Sequence, residues 1–204
     1  MKAQALGQKI ADKTVRLATV GLGYVGLPLS VEFASAGLRV VGIDIDREKV
    51  DAIGRGESYV RDVPSESVAK LVKEGTLSAT ADFDVLSDKD AVIICVPTPL
   101  SKTKDPDLSL VVNASREIAK RLRDGQLVVL ESTTYPGTTE ELILPSLQES
   151  GLEVGKGFFS RSLRSVWIPE TLVGIRATHP RSSGARRRVA SRWRARFTRT
   201  RWTR

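Results

Sequence analysis

A chain of 204 residues, 41% hydrophobic and 27% charged, is long enough for one good core, or for one domain and an appendage. Its single cysteine, Cys95, excludes an internal disulfide and fits a reducing compartment, and no stretch approaches the roughly 20 apolar residues of a membrane span. The formal net charge of +8 is unevenly shared: residues 160–204 hold 13 Arg, no Lys and one acid, Glu170, which leaves 19 of the 32 basic and 23 of the 24 acidic groups to residues 1–159, a net of −4.

Residues 1–13 read as a polar leader with no segment apolar enough for a signal peptide, so the chain is expected to be cytoplasmic. Thr14–Val20 is a first strand. It runs into Gly21-Leu22-Gly23-Tyr24-Val25-Gly26, a G-x-G-x-x-G turn, and a helix over Leu27–Ala36 leaves it, with Pro28 in the first turn and Gly37 as the stop. In that spacing the first glycine permits the tight turn, the second admits a pyrophosphate, and the third lets helix and strand pack closely. The helix N-terminus then offers its free N–H groups to the phosphates. A plain strand–turn–helix corner without a ligand is the competing reading.

A second strand, Leu38–Ile43, ends in Asp44, 18 residues past Gly26. That is close to where an acidic residue accepts the ribose hydroxyls of NAD and repels the extra phosphate of NADP. Asp44 could equally be a solvated strand-end or capping aspartate. Asp46 fits better as the N-cap of a helix over Arg47–Arg55, closed by Gly56. Ser65 is the expected N-cap of the next helix, with Val68, Leu71 and Val72 on one face and Gly75 as the stop. Leu77–Thr80 is a third strand. Ala91–Val96 is continuously apolar, as a parallel strand covered on both faces should be. Leu108–Arg123 is helical and closed near Gly125; Gln126–Leu130 is the fifth strand; Thr138–Ser150 is a helix ended by Gly151. The alternation predicts an α/β fold with a doubly wound parallel sheet ordered 3-2-1-4-5. Gly21–Gly26, Asp44, Pro97–Pro99 and Ser132–Gly137 then share the carboxyl rim where such sheets bind ligands. Cys95 lies inside an apolar strand and reads as an inert core residue, not a nucleophile. Thr98 between two prolines could merely cap a rigid turn, and Tyr135-Pro136-Gly137 could be only the turn before a capped helix.

Three segments together carry a resemblance: Val20–Leu29, Cys95-Val96-Pro97-Thr98-Pro99, and Glu131-Ser132-Thr133-Thr134-Tyr135-Pro136-Gly137-Thr138-Thr139. They resemble the UDP-glucose/GDP-mannose dehydrogenases. Gly56-Glu57-Ser58-Tyr59 and Lys102–Asp107 are most similar to the bacterial UDP-N-acetylglucosamine 6-dehydrogenase branch. The resemblance spans residues 14–159 and implies a Rossmann domain that binds NAD. It also implies oxidation of the C6 alcohol of a UDP-sugar to a carboxylate, with two NAD and a cysteine thioester. UDP-N-acetylglucosamine is the favoured substrate; UDP-glucose and UDP-N-acetylmannosamine are the alternatives.

Carried over, Gly21, Gly23, Tyr24, Val25 and Gly26 would hold the pyrophosphate and Asp44 the adenosine ribose. Thr98 would lie along the cofactor, and Thr133 beside the nicotinamide, where it would position a water or the sugar hydroxyl. Glu131 is either a catalytic partner or a tie for its own loop. The family's catalytic cysteine belongs to a later region, so this chain is expected to be the cofactor-binding part and inactive alone. Full-length relatives are expected to be homodimers. No metal is implied.

From Ser160 the sequence leaves the family pattern. Synonymous codons for Arg161–Thr171, read one frame over, spell FSPERVDPGN, with which family members continue; codons for Ile175–Gly184 likewise contain SRNTPKVVG. The expectation is a one-base loss near Phe159, a missing or degraded sixth strand that leaves the fifth as a raw edge, and a disordered, out-of-frame basic tail over residues 160–204. The rival reading is a non-catalytic NAD-binding module with a nucleic-acid arm, built on Arg186-Arg187-Arg188 and Trp193 to Trp202. Nonspecific nucleic-acid binding would follow from charge alone.

Overall fold

The strands are β1 (Arg16–Val20), β2 (Arg39–Ile43), β3 (Leu77–Thr80), β4 (Ala91–Ile94), β5 (Leu127–Leu130) and β6 (Phe159–Ser162). They form one parallel sheet in the order β3-β2-β1-β4-β5-β6. The computed structural model describes residues 2–99, 106–132, 134, 137–155 and 157–162. The Arg-rich stretch from Leu163 onward, Thr133, Tyr135, Pro136 and Lys102–Asp105 lie outside the described residues.

Side chains alternate across the strands with period two, and each face carries its own core. Leu17, Val40, Ala91 and Ile93 join Leu27, Val31, Val68 and Leu71 on the face covered by α2 (Gly26–Ser35) and α4 (Ser65–Lys73). Ala18, Val20, Val92 and Ile94 face Val111, Ile118, Ile143 and Leu147, carried on α5 (Ser109–Ala119), on a wide turn at Thr139–Ile143, and on α6 (Leu144–Gln148). Every residue of β4 is buried, as its apolar run predicted. α3 (Arg47–Gly54) starts at Asp46, whose side chain accepts the Glu48 N–H at 3.1 Å.

Three expectations are corrected. The sixth strand is present. Phe159–Ser162 pairs in parallel with β5, from Leu127↔Phe159 to Leu130↔Ser162, so β5 is an interior strand and not a raw edge. Ladder pairing uses backbone groups, which any non-proline residue supplies, and the fully buried Phe158 seats the chain beside β5. The cap of α4 is Pro64, with no side-chain bond; the Ser65 hydroxyl instead accepts the Ser58 N–H at 3.0 Å. The expected helix over Thr138–Ser150 begins with a π-type turn, because Pro145 has no N–H to donate and its ring crowds the carbonyl four residues back.

The polar leader contains a helix, α1 (Lys2–Ala11). Leu6 and Ile10, one turn apart, pack on the core, and Lys9 reaches Asp90 at 2.7 Å. Among the described residues no helix is long and apolar enough to cross a membrane.

Candidate functional site

Strand register places the rim. Val20 pairs with Ile43 on one side and Ile94 on the other, and Ile94 pairs with Leu130. The next residues, Asp44, Gly21, Cys95 and Glu131, therefore form one row across the carboxyl end of the sheet. Backbone bonds extend the ladder through this row: Gly21 N–H to Ile43 O at 2.7 Å, Cys95 N–H to Val20 O at 2.7 Å, and Glu131 N–H to Ile94 O at 2.9 Å.

Gly21 has φ +93°, and a Cβ there would lie 2.8 Å from the Cys95 carbonyl oxygen. A Cβ on Gly26 would lie 1.8 Å from the Gly21 carbonyl oxygen and 3.2 Å from the Cys95 Cβ. Both glycines are demanded by the fold itself, one by backbone conformation and both by close approach. Gly23 differs. A Cβ there meets nothing within 4 Å, so the turn and the start of α2 leave open space at the position where the motif brings a phosphate.

Asp44 is 9% exposed, which removes the reading of a solvated strand end. Its Oδ2 accepts the Leu22 N–H at 2.8 Å and its Oδ1 the Asp46 N–H at 3.0 Å, while Lys49 Nζ lies 3.6 Å from Oδ2. The carboxylate thus ties the end of β2 to the glycine turn and still carries a negative charge at the mouth. Tyr24, 83% exposed, and Ile45, 76% exposed, stand on the turn and beside Asp44 respectively, and Val25 is also exposed. Exposed apolar side chains at a polar rim offer flat surface to a ligand's rings.

On the other side of the row, Thr98 is partly buried in the segment after β4. The Ser132 hydroxyl donates to Val96 O at 2.7 Å, tying that segment to the one after β5. Pro99 O accepts the Asp107 N–H at 2.8 Å. Thr133 lies outside the described residues. Cys95 is buried in the core, as its apolar strand predicted. Burial, and then the Glu131 charge, push its thiol far above the ordinary range, so it stays a neutral thiol.

Burial also pushes the Glu131 carboxyl up to about 7. The folded chain holds a proton there that the unfolded chain releases in the usual carboxylate range. The associated stability is complete below about pH 4.3 and is lost as pH rises through about 7. Glu131→Gln, which stays neutral, should therefore raise Tm at pH 8, by about 3 °C for about 1 kcal/mol after allowance for solvent screening. At pH 4 it should change little. Calorimetric scans at the two pH values check this, and an equal shift at both would refute it. Among the described residues no group of His, Cys, Asp or Glu is arranged to hold a metal ion.

The profile of the UDP-glucose/GDP-mannose dehydrogenase family, NAD binding domain, matches residues 15–179. The chain is 41% identical over 149 residues to UDP-N-acetyl-D-glucosamine 6-dehydrogenase of Pseudomonas aeruginosa, covering 72% of this chain and 34% of that protein. It is 40% identical over 126 residues to UDP-N-acetyl-D-mannosamine dehydrogenase of Escherichia coli (strain K12), covering 62% and 30%. Among solved structures, NDP-N-acetyl-D-galactosaminuronic acid dehydrogenase from Methanosarcina mazei Go1 superposes with a TM-score of 0.69 at 34% identity, over 81% of this chain and 38% of that one. GDP-mannose dehydrogenase from Pseudomonas aeruginosa, solved as a ternary complex, gives 0.68 at 32% identity, over 72% and 35%. The chain spans about a third of the length of the curated relatives it matches.

Proposed function

The chain belongs to the UDP-glucose/GDP-mannose dehydrogenase family and carries its NAD-binding domain, and from that premise we propose that residues 14–159 are the cofactor-binding part of a UDP-sugar 6-dehydrogenase. The observation that carries the reading is the rim itself: an open space at Gly23, a buried carboxylate at Asp44 one strand over, and exposed apolar side chains between them. The open space at Gly23 and the carboxylate at Asp44 support a dinucleotide there. The backbone at Gly21, Gly23, Tyr24, Val25 and Gly26 would hold the pyrophosphate by N–H donation at the start of α2. Asp44 would accept from the adenosine ribose, its charge opposing a 2′-phosphate. Thr98 would lie along the cofactor and Thr133 beside the nicotinamide.

When bound, NAD supplies a hydride acceptor for the carbon that bears the sugar's C6 alcohol. What this chain contributes is placement. Ser132 holds the segments after β4 and β5 together, which would fix Thr98 and Thr133 relative to one another. Thr133 would position the alcohol or a water. Glu131, with its carboxyl near 7, could hold or release a proton at its carboxylate oxygen close to neutral pH.

The favoured substrate is UDP-N-acetylglucosamine, the sugar nucleotide named for the Pseudomonas relative. UDP-N-acetylmannosamine and UDP-glucose are the alternatives to assay beside it. Binding and turnover should separate: the 204-residue chain is expected to bind NAD and to produce no NADH from any of the three sugars. Robust NADH production by the purified chain would contradict its assignment as the cofactor-binding part.

A further inference from the structure

Leu22, between the first two glycines, is held at three points. Its side chain is fully buried against Gly42, where an added Cβ would come within 2.5 Å of its Cδ2. Its N–H is taken by Asp44 and its carbonyl oxygen by the Tyr59 hydroxyl, at 2.7 Å. The Leu22–Gly23 peptide is trans, and in a planar trans peptide the C=O and N–H point in opposite directions. Whatever grips the Leu22 carbonyl therefore also aims the Gly23 N–H, and aims it away from Tyr59.

Tyr59 stands on the connection between α3 and α4, and that connection is braced. Val60 and Val63 are buried. The Ser58 hydroxyl accepts the Val60 N–H at 3.2 Å, and Ser65 accepts the Ser58 N–H. Gly56 lies so close to α4 that a Cβ would meet the Ala69 Cβ at 2.7 Å. The hydroxyl is thus delivered by a fixed scaffold. Burial, and then the charges of Asp44 and Asp46, push its pKa well up, so it remains a donor throughout the neutral range.

We propose that Tyr59 is a positioning residue for the dinucleotide: by fixing the Leu22 carbonyl it orients the Gly23 N–H toward the pyrophosphate. The proposal rests on the NAD-binding reading above and extends it to a residue outside the glycine motif. Without the hydroxyl, the Leu22–Gly23 peptide loses the bond to its carbonyl, because Asp44 holds only the preceding Gly21–Leu22 peptide, and the Gly23 N–H samples other directions. The cost falls on ligands with a pyrophosphate and spares those without one.

The test is a set of titrations of wild type and Tyr59→Phe with NAD, ADP-ribose and adenosine, the last by ligand-observed NMR. Phenylalanine keeps the ring's packing, and melting curves without ligand confirm that the variant is folded at the titration temperature. The expected result is a roughly fivefold loss of affinity for NAD and for ADP-ribose, the equivalent of one neutral hydrogen bond, with adenosine unchanged within about twofold. Equal affinity of variant and wild type for NAD would overturn the proposal and leave the NAD-binding reading standing. An equal loss for adenosine and ADP-ribose would overturn it too, because that is what general loosening produces. A folded wild type that binds none of the three overturns the NAD-binding reading and this proposal with it.

Discussion

Gly26→Ala is expected to lower Tm by about 6–12 °C and to reduce NAD affinity at least about 100-fold. The added methyl would sit 1.8 Å from the Gly21 carbonyl oxygen and against Cys95. Neither neighbour is the free end of a flexible side chain, so the turn must move bodily away from β4. Overpacking of this kind costs about 3 kcal/mol, and for a domain of this size each kcal/mol shifts Tm by about 2–4 °C. The informative control is Gly23→Ala. Its Cβ meets nothing within 4 Å, so it should melt within about 2 °C of wild type, yet it puts a methyl where a phosphate would approach. Affinity should fall while stability holds. Thermal melts and NAD titration of the two variants check the pair. A Gly26→Ala protein as stable as wild type would show that the close approach is not required. A Gly23→Ala protein that binds NAD normally would remove the phosphate from that space.

The second large effect lies at the opposite end of the sheet. Asp90, 4% exposed, precedes β4. It accepts Lys9 Nζ at 2.7 Å, the Arg16 N–H at 2.9 Å and the Arg123 guanidinium at 2.7 Å. Burial alone would raise its pKa, but the bonds from Lys9, Arg16 and Arg123 outweigh burial and hold it at about 2. Asp90→Ala leaves the Arg16 N–H without its acceptor and removes the carboxylate from Lys9 and from Arg123, which keeps its bond to the Lys89 carbonyl oxygen at 2.6 Å. Lys9 and Arg123 keep 46% and 34% of their side-chain surface in water, so the loss is chiefly that of the buried hydrogen bonds, about 2–3 kcal/mol, or a Tm lower by about 4–12 °C. Because the folded pKa is depressed, the stability Asp90 supplies is present above about pH 3.9 and is lost as pH falls through about 2. The variant should therefore differ most from wild type at neutral pH and converge on it in strong acid. Denaturant melts at pH 7 and pH 2 test this; an undiminished difference at pH 2 would contradict the assignment.

The contrast between the two ends of the sheet shows what can be read along a chain. The strands and the helices facing the rim were legible because local chemistry punctuates them: Gly37, Gly56 and Gly75, all with positive φ, end α2, α3 and α4, and Asp46 caps α3 as its position suggested. The strand order followed from the alternation, and the rim from the order. Asp90 was not legible. Its partners lie 81, 74 and 33 residues away, and no local pattern announces a pairing of that range. The same is true of Tyr59, 37 residues from the carbonyl it holds; its segment marked a family branch, but its hydroxyl's partner required the fold. The only local mark of the α1 helix is Leu6 and Ile10, one turn apart among polar residues. The sixth strand is hidden in the sequence for a different reason. Side-chain identity changes abruptly at Ser160, whereas parallel pairing with β5 depends on backbone groups.

Calorimetric titration of the folded 204-residue chain with NAD and, separately, NADP tests the assignment most directly. One NAD per chain with measurable heat, and NADP at least about tenfold weaker because its extra phosphate meets the buried Asp44 carboxylate, is the predicted result. Absence of heat with NAD on a sample that melts cooperatively, or equal affinity for the two dinucleotides, would contradict it.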